Sequence, residues 1–393
     1  QASESQATKS RATSGQLTSG QPTGGRASES RAVEGQAIEG QGIGGGASES
    51  RALDGEGIDG QAAGGRTGER QLILGRPGAA GAVGVVVAGS VVAMAAEIRR
   101  RRPAVVINTI GPFTATAGPI IEACLPASHY VDLANDVAAV SVVLGRSDAA
   151  TAAGRTLVTG AGFGVTATES VVVKLCEGRP QPAHVRVDMV PSLDLEAGRL
   201  GEALAGTILE GLPGVEGGRR YGGRRYRAGR LAPAPLAGEV VRLTLPDGET
   251  VTTASMPLGE LMAAQRASGA PSVIAASSEA PASPVMRAIL PVATALLNFA
   301  PLRAFATRRL AAVEVKARER PCEFSWGHAT ARWPDGSIAE GWLRVGEAQS
   351  FTGAVPAEVA VRLLAGEGKP GAHFPAALFG PSLAESCGGE YAM

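Results

Sequence analysis

Cysteine and histidine are scarce in this sequence and widely separated. The four cysteines, Cys124, Cys176, Cys322 and Cys387, form no CxxC pair, and we expect no secretory signal peptide. We therefore expect reduced thiols in a cytoplasmic protein rather than a disulfide framework. The four histidines show no metal-ligand spacing, so the sequence predicts no metal site.

The sequence also has no excess of charge of either sign. It contains 37 Lys and Arg residues against 37 Asp and Glu residues, and the formal net charge is zero. A protein that binds nucleic acid over its whole surface carries a strong positive balance. We therefore expect no nucleic-acid partner; a homodimer stays an open alternative.

No apolar run in the sequence reaches the roughly 18 residues that a membrane-spanning helix needs. The nearest run covers residues 288–300, which Pro291 interrupts and which Arg303, Arg308 and Arg309 follow. A buried helix is one interpretation. Peripheral contact of residues 288–310 with a membrane surface is the other, because apolar residues beside basic ones suit an interface.

Aromatic residues make up only 4% of the chain, whereas glycine is abundant, and residues 1–70 are strictly repetitive. They divide into fourteen pentads, of which twelve begin with Gln or Arg and thirteen end with Gly or Ser. Too few aliphatic residues are present to offset the ordering entropy of a repeat fold. We predict a disordered low-complexity arm over 1–70, with a short solenoid over 31–60 as the alternative.

After residue 70 the sequence changes to a pattern typical of a nucleotide-binding fold. Leu72–Leu74 reads as a short apolar strand, and glycines follow it directly at Gly75, Gly78 and Gly81. Glycines after a strand let the backbone approach a pyrophosphate, and the next helix presents free N–H groups to it. The spacing predicts a phosphate-binding turn.

A second pattern begins with the apolar strand Val105–Asn108, which Thr109, Gly111, Pro112 and Phe113 follow. An amphipathic helix and another strand, His129–Asp132, come next. Doubly wound folds place ligands at the carboxyl ends of such strands. We therefore predict that Asp132 makes a polar contact to a ligand and that Tyr130 positions it or donates a proton; His129 is a weaker candidate.

A third pattern is the strand Thr156–Val158 followed by a glycine-rich turn. Gly160, Gly162 and Gly164 permit a close backbone approach to a ligand, with Phe163 between the last two. A helix is predicted over Thr168–Cys176, with Thr166 or Thr168 as its N-terminal cap. A plain strand-to-helix connection would explain the same residues without a function.

Together these segments resemble the saccharopine dehydrogenase-like NAD(P)-binding oxidoreductases, including bacterial proteins similar to trans-acting enoyl reductases. That family has N-T-x-G-P-F and Y-x-D segments in the same order. The resemblance implies hydride transfer to or from a small metabolite or acyl chain, with NADP slightly preferred over NAD. It implies catalytic roles for Asp132 and Tyr130, and cofactor-binding roles for Gly75, Gly78, Gly81, Asn108, Thr109, Gly111, Pro112, Phe113, Gly162, Phe163 and Gly164.

The sequence departs from the family in its nucleotide-binding half. Only about 33 residues separate Gly75 from Asn108, whereas two βα units would need about 60. Residues 84–90 could begin the first helix or form the second strand, and Ser90 stands where the family often has Arg. A strand–helix unit is therefore missing in either case. The alternative function is a non-enzymatic binding or scaffold protein derived from such a reductase.

Beyond residue 180 the pattern changes to longer alternating strands, at His184–Val190, Glu239–Leu245 and Glu323–Arg332. They predict a second domain of α+β class with a mainly antiparallel sheet. We expect a Rossmann-like parallel sheet, incomplete in its nucleotide half, over 71–180 and the second domain over 181–393, with the C-terminus packing back on the first as an open alternative. The arginine-rich stretch Arg219–Arg230 reads as a surface loop, with anion binding and RNA binding as alternatives.

Overall fold

The computed structural model describes residues 69–70, 85–193, 197–201, 205, 222–281, 283, 285, 296–297, 299–315 and 321–393. The predicted arm over 1–70 lies almost entirely outside these residues, as do the solenoid alternative, the strand at 72–74 and the glycines Gly75, Gly78 and Gly81. The two-residue strand at Glu69–Arg70 is the one described part of that region.

The first elements are β1 Glu69–Arg70, β2 Val85–Val86, α1 Val91–Arg101, β3 Val105–Asn108, α2 Phe113–Cys124, β4 His129–Asp132, α3 Val137–Leu144, α4 Ser147–Ala152, β5 Thr156–Val158 and α5 Phe163–Cys176. The next are β6 His184–Val190, β7 Gly198–Arg199, β8 Gly222–Arg227, β9 Arg230–Pro235, β10 Val241–Thr244, β11 Thr250–Ser255, α6 Gly259–Ser268, β12 Ser272–Ser277, α7 Ala300–Ala311 and β13 Glu314–Val315. The last are β14 Ser325–Arg332, β15 Ile338–Val345, α8 Ala348–Leu364, β16 Gly371–His373, α9 Pro375–Phe379, α10 Ser382–Ser386 and β17 Glu390–Ala392.

A four-stranded parallel sheet runs in the order β16-β5-β4-β3. Helix α2 connects β3 to β4, and α3 with α4 connects β4 to β5, so each connection is a helical crossover, as parallel pairing requires. Because all four strands point the same way, the turns that follow β3, β4 and β5 lie along one edge of the sheet. The fourth strand comes from residues 371–373, far along the chain.

A second sheet contains, among the described residues, nine strands, and most of its pairings are antiparallel. Its centre is β6, which pairs antiparallel with β14 and parallel with β12. The prediction of an α/β fold with a parallel sheet and a second, mainly antiparallel sheet is confirmed. The predicted strand at 184–190 has the predicted bounds, whereas the strand predicted at 239–245 is shorter, at Val241–Thr244.

Helix α5 links the two sheets. It follows β5 of the parallel sheet and then packs on β14 and β15 of the large sheet and against α6 and α8. Eleven of its fourteen residues are buried, which is typical of a helix that is surrounded by protein. One continuous hydrophobic cluster therefore contains Val131 and Val158 of the parallel sheet together with Val185 and Val187 of the large one.

Three local expectations are corrected by the structure. Helix α5 begins at Phe163 rather than at Thr168, and Gly162 stands at its N-cap position. Thr166 and Thr168 do not cap it; the Thr168 hydroxyl donates to the carbonyl of Gly164, one turn back. The described part of the arginine-rich stretch is not a loop but the hairpin of β8 and β9, in which Arg224 is buried.

The segment at 84–90, left open between a strand and a helix, contains the strand β2 and then the N-cap of α1. Strand β2 pairs antiparallel with β1, outside the parallel sheet. The Ser90 side chain accepts a hydrogen bond from the amide of Ala93, 3.1 Å away. Ser90 thus has the ordinary role of a serine at a helix start, where it satisfies one of the free N–H groups.

Candidate functional site

A cleft of about 190 Å³ lies at the carboxyl edge of the parallel sheet. Its wall consists of Leu133, Ala134 and Asn135 after β4, Gly160 and Gly162–Val165 around the start of α5, Met189, Pro191 and Leu193 at the end of β6, Glu279 after β12, and Ala348, Gln349 and Thr352 of α8. Pockets for drug-sized ligands usually measure about 300–1,000 Å³. The cleft therefore fits one small molecule or the reacting end of a larger one.

The N-termini of α5 and α8 meet at this cleft. The amide N–H of Phe163, the first residue of α5, donates to the Thr352 hydroxyl of α8 at 3.0 Å. The N–H groups of Gly164 and Val165 belong to the same first turn, where a helix offers them no carbonyl partner. Together with the helix dipole, they favour a carbonyl oxygen or an anion in the cleft.

The turn between β5 and α5 requires glycine at Gly160, whose φ of +76° lies in the left-handed region. Gly162 lines the cleft in an extended conformation. A Cβ there would meet Thr352 at ordinary contact distance, 3.5 Å from its methyl carbon, and the carbonyl oxygen of Leu133 at 4.0 Å. At Gly162 the structure therefore leaves room for a ligand to come close to the backbone, as the sequence predicts for these glycines.

Gly164 is glycine for a different reason. A Cβ at this position would stand 2.0 Å from Oε1 of Glu260 and 2.8 Å from Sδ of Met189. Glu260 belongs to the first turn of α6 and is fully buried. The carboxyl group of Glu260 therefore occupies the space that a side chain at 164 would need.

Glu260 is a buried carboxyl group that lies directly behind the cleft wall without lining it. Its Oε1 accepts a hydrogen bond from Nδ2 of Asn135 at 3.1 Å, and Asn135 lines the cleft. Its Oε2 is buried and has no hydrogen-bond partner among the described residues. Burial raises the pKa of Glu260 to about 7, because a charged carboxylate loses its hydration there.

Asp132, predicted as catalytic, lies beneath the cleft and does not line it. Its side chain is completely buried and accepts four hydrogen bonds. Oδ1 receives the hydroxyl of Thr159 at 2.8 Å and the amides of Ala134 and Gly160, each at 3.1 Å. Oδ2 receives the Tyr130 hydroxyl at 2.9 Å. Asp132 thereby joins the turn after β4 to the turn after β5.

The ionisation of Asp132 reflects two opposing effects. Burial raises its pKa to about 6, while the donors around it favour the charged form. Four donors converge on the two oxygens, and we take the carboxylate as the form that this geometry stabilises at neutral pH. The pKa of Tyr130 is raised by burial and by Asp132. Its hydroxyl therefore stays protonated and donates a hydrogen bond to Asp132.

Tyr130 and Asn108 extend this network to β3. Tyr130 is fully buried, and its hydroxyl accepts from Nδ2 of Asn108 at 3.1 Å. Oδ1 of Asn108 accepts from the amide of Ile110 at 3.1 Å, which shapes the turn after β3. The side chains of Asn108, Tyr130 and Asp132 are thus brought together, inside the protein, as a chain that joins three adjacent turns.

The other predicted residues lie in several places. Thr109, which is exposed, and Gly111 and Pro112, which are half-buried, lie in the turn after β3. This turn is at the same sheet edge as the cleft but outside the cleft wall, and Phe113 packs in the core. His129 begins β4 at the opposite end of the strand, where its Nδ1 accepts from the amide of Thr156 and burial lowers its pKa. Of the predicted cofactor-binding residues that the structure describes, Gly162, Phe163 and Gly164 line the cleft.

Sequence reasoning missed Asn135, Glu260 and Thr352. Asn135 follows Asp132 by three residues, at the same strand end, so the position of the strand could have indicated it. Glu260 is a single acidic residue in the apolar stretch Met256–Ala264, a weak signal that a solvated helix start would also produce. Within the described ranges, no group of three His, Cys, Asp or Glu residues is placed to hold a metal ion.

Comparison with known proteins found no matching family model and no matching curated protein. Among solved structures, an L-Glu-forming saccharopine dehydrogenase from Saccharomyces cerevisiae is similar, with 11% identity, a TM-score of 0.45, and coverage of 75% of this chain and 84% of that one. The Bacillus subtilis protein yvaA, described as an oxidoreductase, has 12% identity and a TM-score of 0.26, with coverage of 77% and 80%. Neither likeness is close enough to bear on activity or substrate.

Proposed function

We propose that the protein is an NAD(P)-dependent oxidoreductase that acts on a small molecule in the cleft. The observation that carries this proposal is the position of the cleft. It lies at the carboxyl ends of two adjacent parallel strands, against a glycine-containing turn and the N-terminus of α5, which is where doubly wound folds bind their ligands. The sequence resemblance to NAD(P)-binding reductases points in the same direction.

The residues around the cleft fit the nicotinamide end of such a cofactor. Phe163, Val165 and Met189 offer an apolar wall to an aromatic ring, and the N–H groups of Gly164 and Val165 in the first α5 turn can donate to a carboxamide oxygen. Gly162 leaves the space that a side chain would fill. When bound, the nicotinamide supplies the hydride, and the protein supplies position and a proton.

Within this proposal, Glu260 is the group that gains and loses a proton, and Asp132 fixes the positions of the turns after β4 and β5. Glu260 has a pKa of about 7, so it gains or loses a proton near neutral pH beside two cleft-lining residues, Asn135 and Gly164. Asp132 and Tyr130 act as positioning residues, because their bonds orient the turns after β4 and β5. This assignment replaces the catalytic roles that the sequence had suggested for them.

A second function is favoured by the organisation of the nucleotide half. Among the described residues the parallel sheet has four strands, and β1 and β2 form a separate antiparallel pair instead of extending it. A protein that kept the cleft but lost the dinucleotide site would bind a small molecule without catalysing hydride transfer. Such a binding or scaffold protein is the alternative.

Titration with NADPH and with NADH, followed by the cofactor's fluorescence, tests the proposal. Gly162→Val places two methyl groups in the cleft and should weaken binding at least tenfold, about 1.4 kcal/mol. Gly353→Val, the same change one residue after Thr352, is the control, because a Cβ at Gly353 meets nothing within 4 Å. Saturable binding that Gly162→Val alone weakens supports the oxidoreductase. Absence of binding of either cofactor would leave the non-enzymatic alternative.

A further inference from the structure

Helix α7 exposes large apolar side chains to an unusual degree. Leu296 and Phe299 just before it, Phe305 within it and Val313 just after it are 54%, 66%, 51% and 46% exposed. Of the eight phenylalanines in the chain, the other six are buried or half-buried. Contiguous exposed apolar surface on a soluble protein usually marks an interaction site.

Helix α7 does not have the buried side that a helix packed on a core has. A helix that covers a core buries a stripe of residues along one side. In α7, Ala311 is the one residue that is buried. Phe299, Leu302 and Phe305 follow one another at intervals of three residues, so they lie along the same side of the helix.

The charges carried by this stretch are positive up to Val313, and Glu314 follows at its end. From Ala280 to Val313 the sequence contains no Asp or Glu, whereas Arg303, Arg308 and Arg309 lie within α7. The guanidinium of Arg309 lies over the ring of Phe305, 5.3 Å from its centre. Arginine side chains can lay their apolar stems along such a surface while their charged ends stay at its rim.

We propose that α7, with Leu296, Phe299 and Val313, docks on the surface of an anionic phospholipid membrane. Phenylalanine and leucine side chains at the level of the headgroups, with arginines beside them, are the pattern by which interfacial helices bind. The chain as a whole is neutral, so this attraction is local to the helix. An anionic lipid surface can interact with both the apolar and the positively charged side chains of α7. In the described structure no helix is long and apolar enough to span the bilayer.

This proposal is independent of the proposed function, because α7 contributes no residue to the cleft wall. A membrane-bound and a free form would both keep the cleft intact. Binding to membrane can therefore be measured with the full chain without any cofactor or substrate.

The test is co-sedimentation of the full chain with vesicles of phosphatidylcholine mixed with phosphatidylserine, and with vesicles of phosphatidylcholine alone. We expect binding to the mixed vesicles that added salt weakens, because salt screens the arginines. Arg308→Gln/Arg309→Gln should weaken it about 25-fold, since each arginine near an anionic surface contributes about a factor of five. Phe299→Ser/Phe305→Ser should weaken binding at least tenfold.

A matched control is available in the hairpin of β8 and β9. Arg227 and Arg230 are exposed beside its turn, and Arg227→Gln/Arg230→Gln removes the same charge elsewhere. All of these side chains are exposed, so circular dichroism and the unfolding midpoint should be unchanged. The proposal is overturned if the wild type does not bind the mixed vesicles, if the α7 variants bind as the wild type does, or if the hairpin variant loses binding equally. A concentration-dependent dimer that Phe299→Ser/Phe305→Ser abolishes, without vesicle binding, would show that a second copy covers the helix instead.

Discussion

At the scale of single residues, Gly164 shows how one amino acid can have two explanations. After a strand and before a helix, a glycine suggests a close approach to a ligand. Here the nearest neighbour of a Cβ would be Oε1 of Glu260 at 2.0 Å, a contact within the protein. The glycine therefore permits the buried carboxyl group to lie against α5.

Gly164→Ala should lower the free energy of unfolding by about 1–3 kcal/mol, since it overpacks a filled site. Glu260→Ala removes the clashing oxygen, so the cost of Gly164→Ala should be smaller in that background, and a double-mutant cycle by urea unfolding measures the difference. The control is Gly118→Ala in α2, where a Cβ meets nothing within 4 Å and no loss is expected. If Gly164→Ala lowered the free energy of unfolding equally in both backgrounds, contact with Glu260 would not be the reason for a glycine at position 164.

At the scale of elements, the cleft depends on how α5 and α8 are joined. Thr352 lies in the second turn of α8, and its hydroxyl accepts the first N–H of α5 at 3.0 Å. Since Phe163 packs edge-on against Phe351, the same contact is supported by an aromatic pair. The two helices thus form one wall, although 189 residues separate the bonded pair.

Thr352→Val keeps the shape of the side chain and leaves the Phe163 N–H without its partner. We expect unfolding to become easier by about 1–3 kcal/mol, the usual cost of a buried donor left unsatisfied. If the cofactor proposal holds, cofactor binding should also weaken. Thr307→Val in α7 is the matched change, because its hydroxyl bonds to Arg303 of its own helix and touches no cleft residue. Chemical denaturation measures the free energy of unfolding of both variants. Equal losses would show that Thr352 has only a local role.

At the scale of the whole molecule, the C-terminal segment completes both sheets. Strand β16 pairs with β5 at the edge of the parallel sheet, and β17 pairs with β15 at the edge of the large one. Between them, the amides of Ala376 and Ala377 donate to the buried carboxyl of Glu169 in α5, at 2.8 and 3.0 Å. The pKa of Glu169 is raised to about 8 by burial, which these two bonds partly counteract.

Deletion of residues 367–393 should therefore abolish cooperative unfolding, because it uncovers an edge strand of the parallel sheet and the buried Glu169. Deletion of residues 389–393 removes β17 alone and should leave a folded protein with a lower midpoint. Circular dichroism during thermal unfolding distinguishes the two. A sharp transition in the longer deletion would show that the parallel sheet is stable without its fourth strand.

The sequence by itself determined the alternation of strands and helices and the positions where chemistry could lie. Apolar runs and glycine turns depend on local conformational preferences, so the strands at 105–108, 129–132, 156–158 and 184–190 and the turns after them could be predicted. The sheet edge at which the cleft lies follows from the direction of those strands.

Only the tertiary structure decided which polar groups face the cleft and which lie beneath it. Asp132 and Tyr130 stand at the predicted edge, yet their side chains turn inward, because four donors within reach of Asp132 compensate the burial of its carboxyl group. Glu260 reaches the cleft wall through Asn135, 125 residues away in sequence, and no local pattern records such a contact. Burial and long-range hydrogen bonding depend on the packing of distant segments, and that packing exists only in the folded chain.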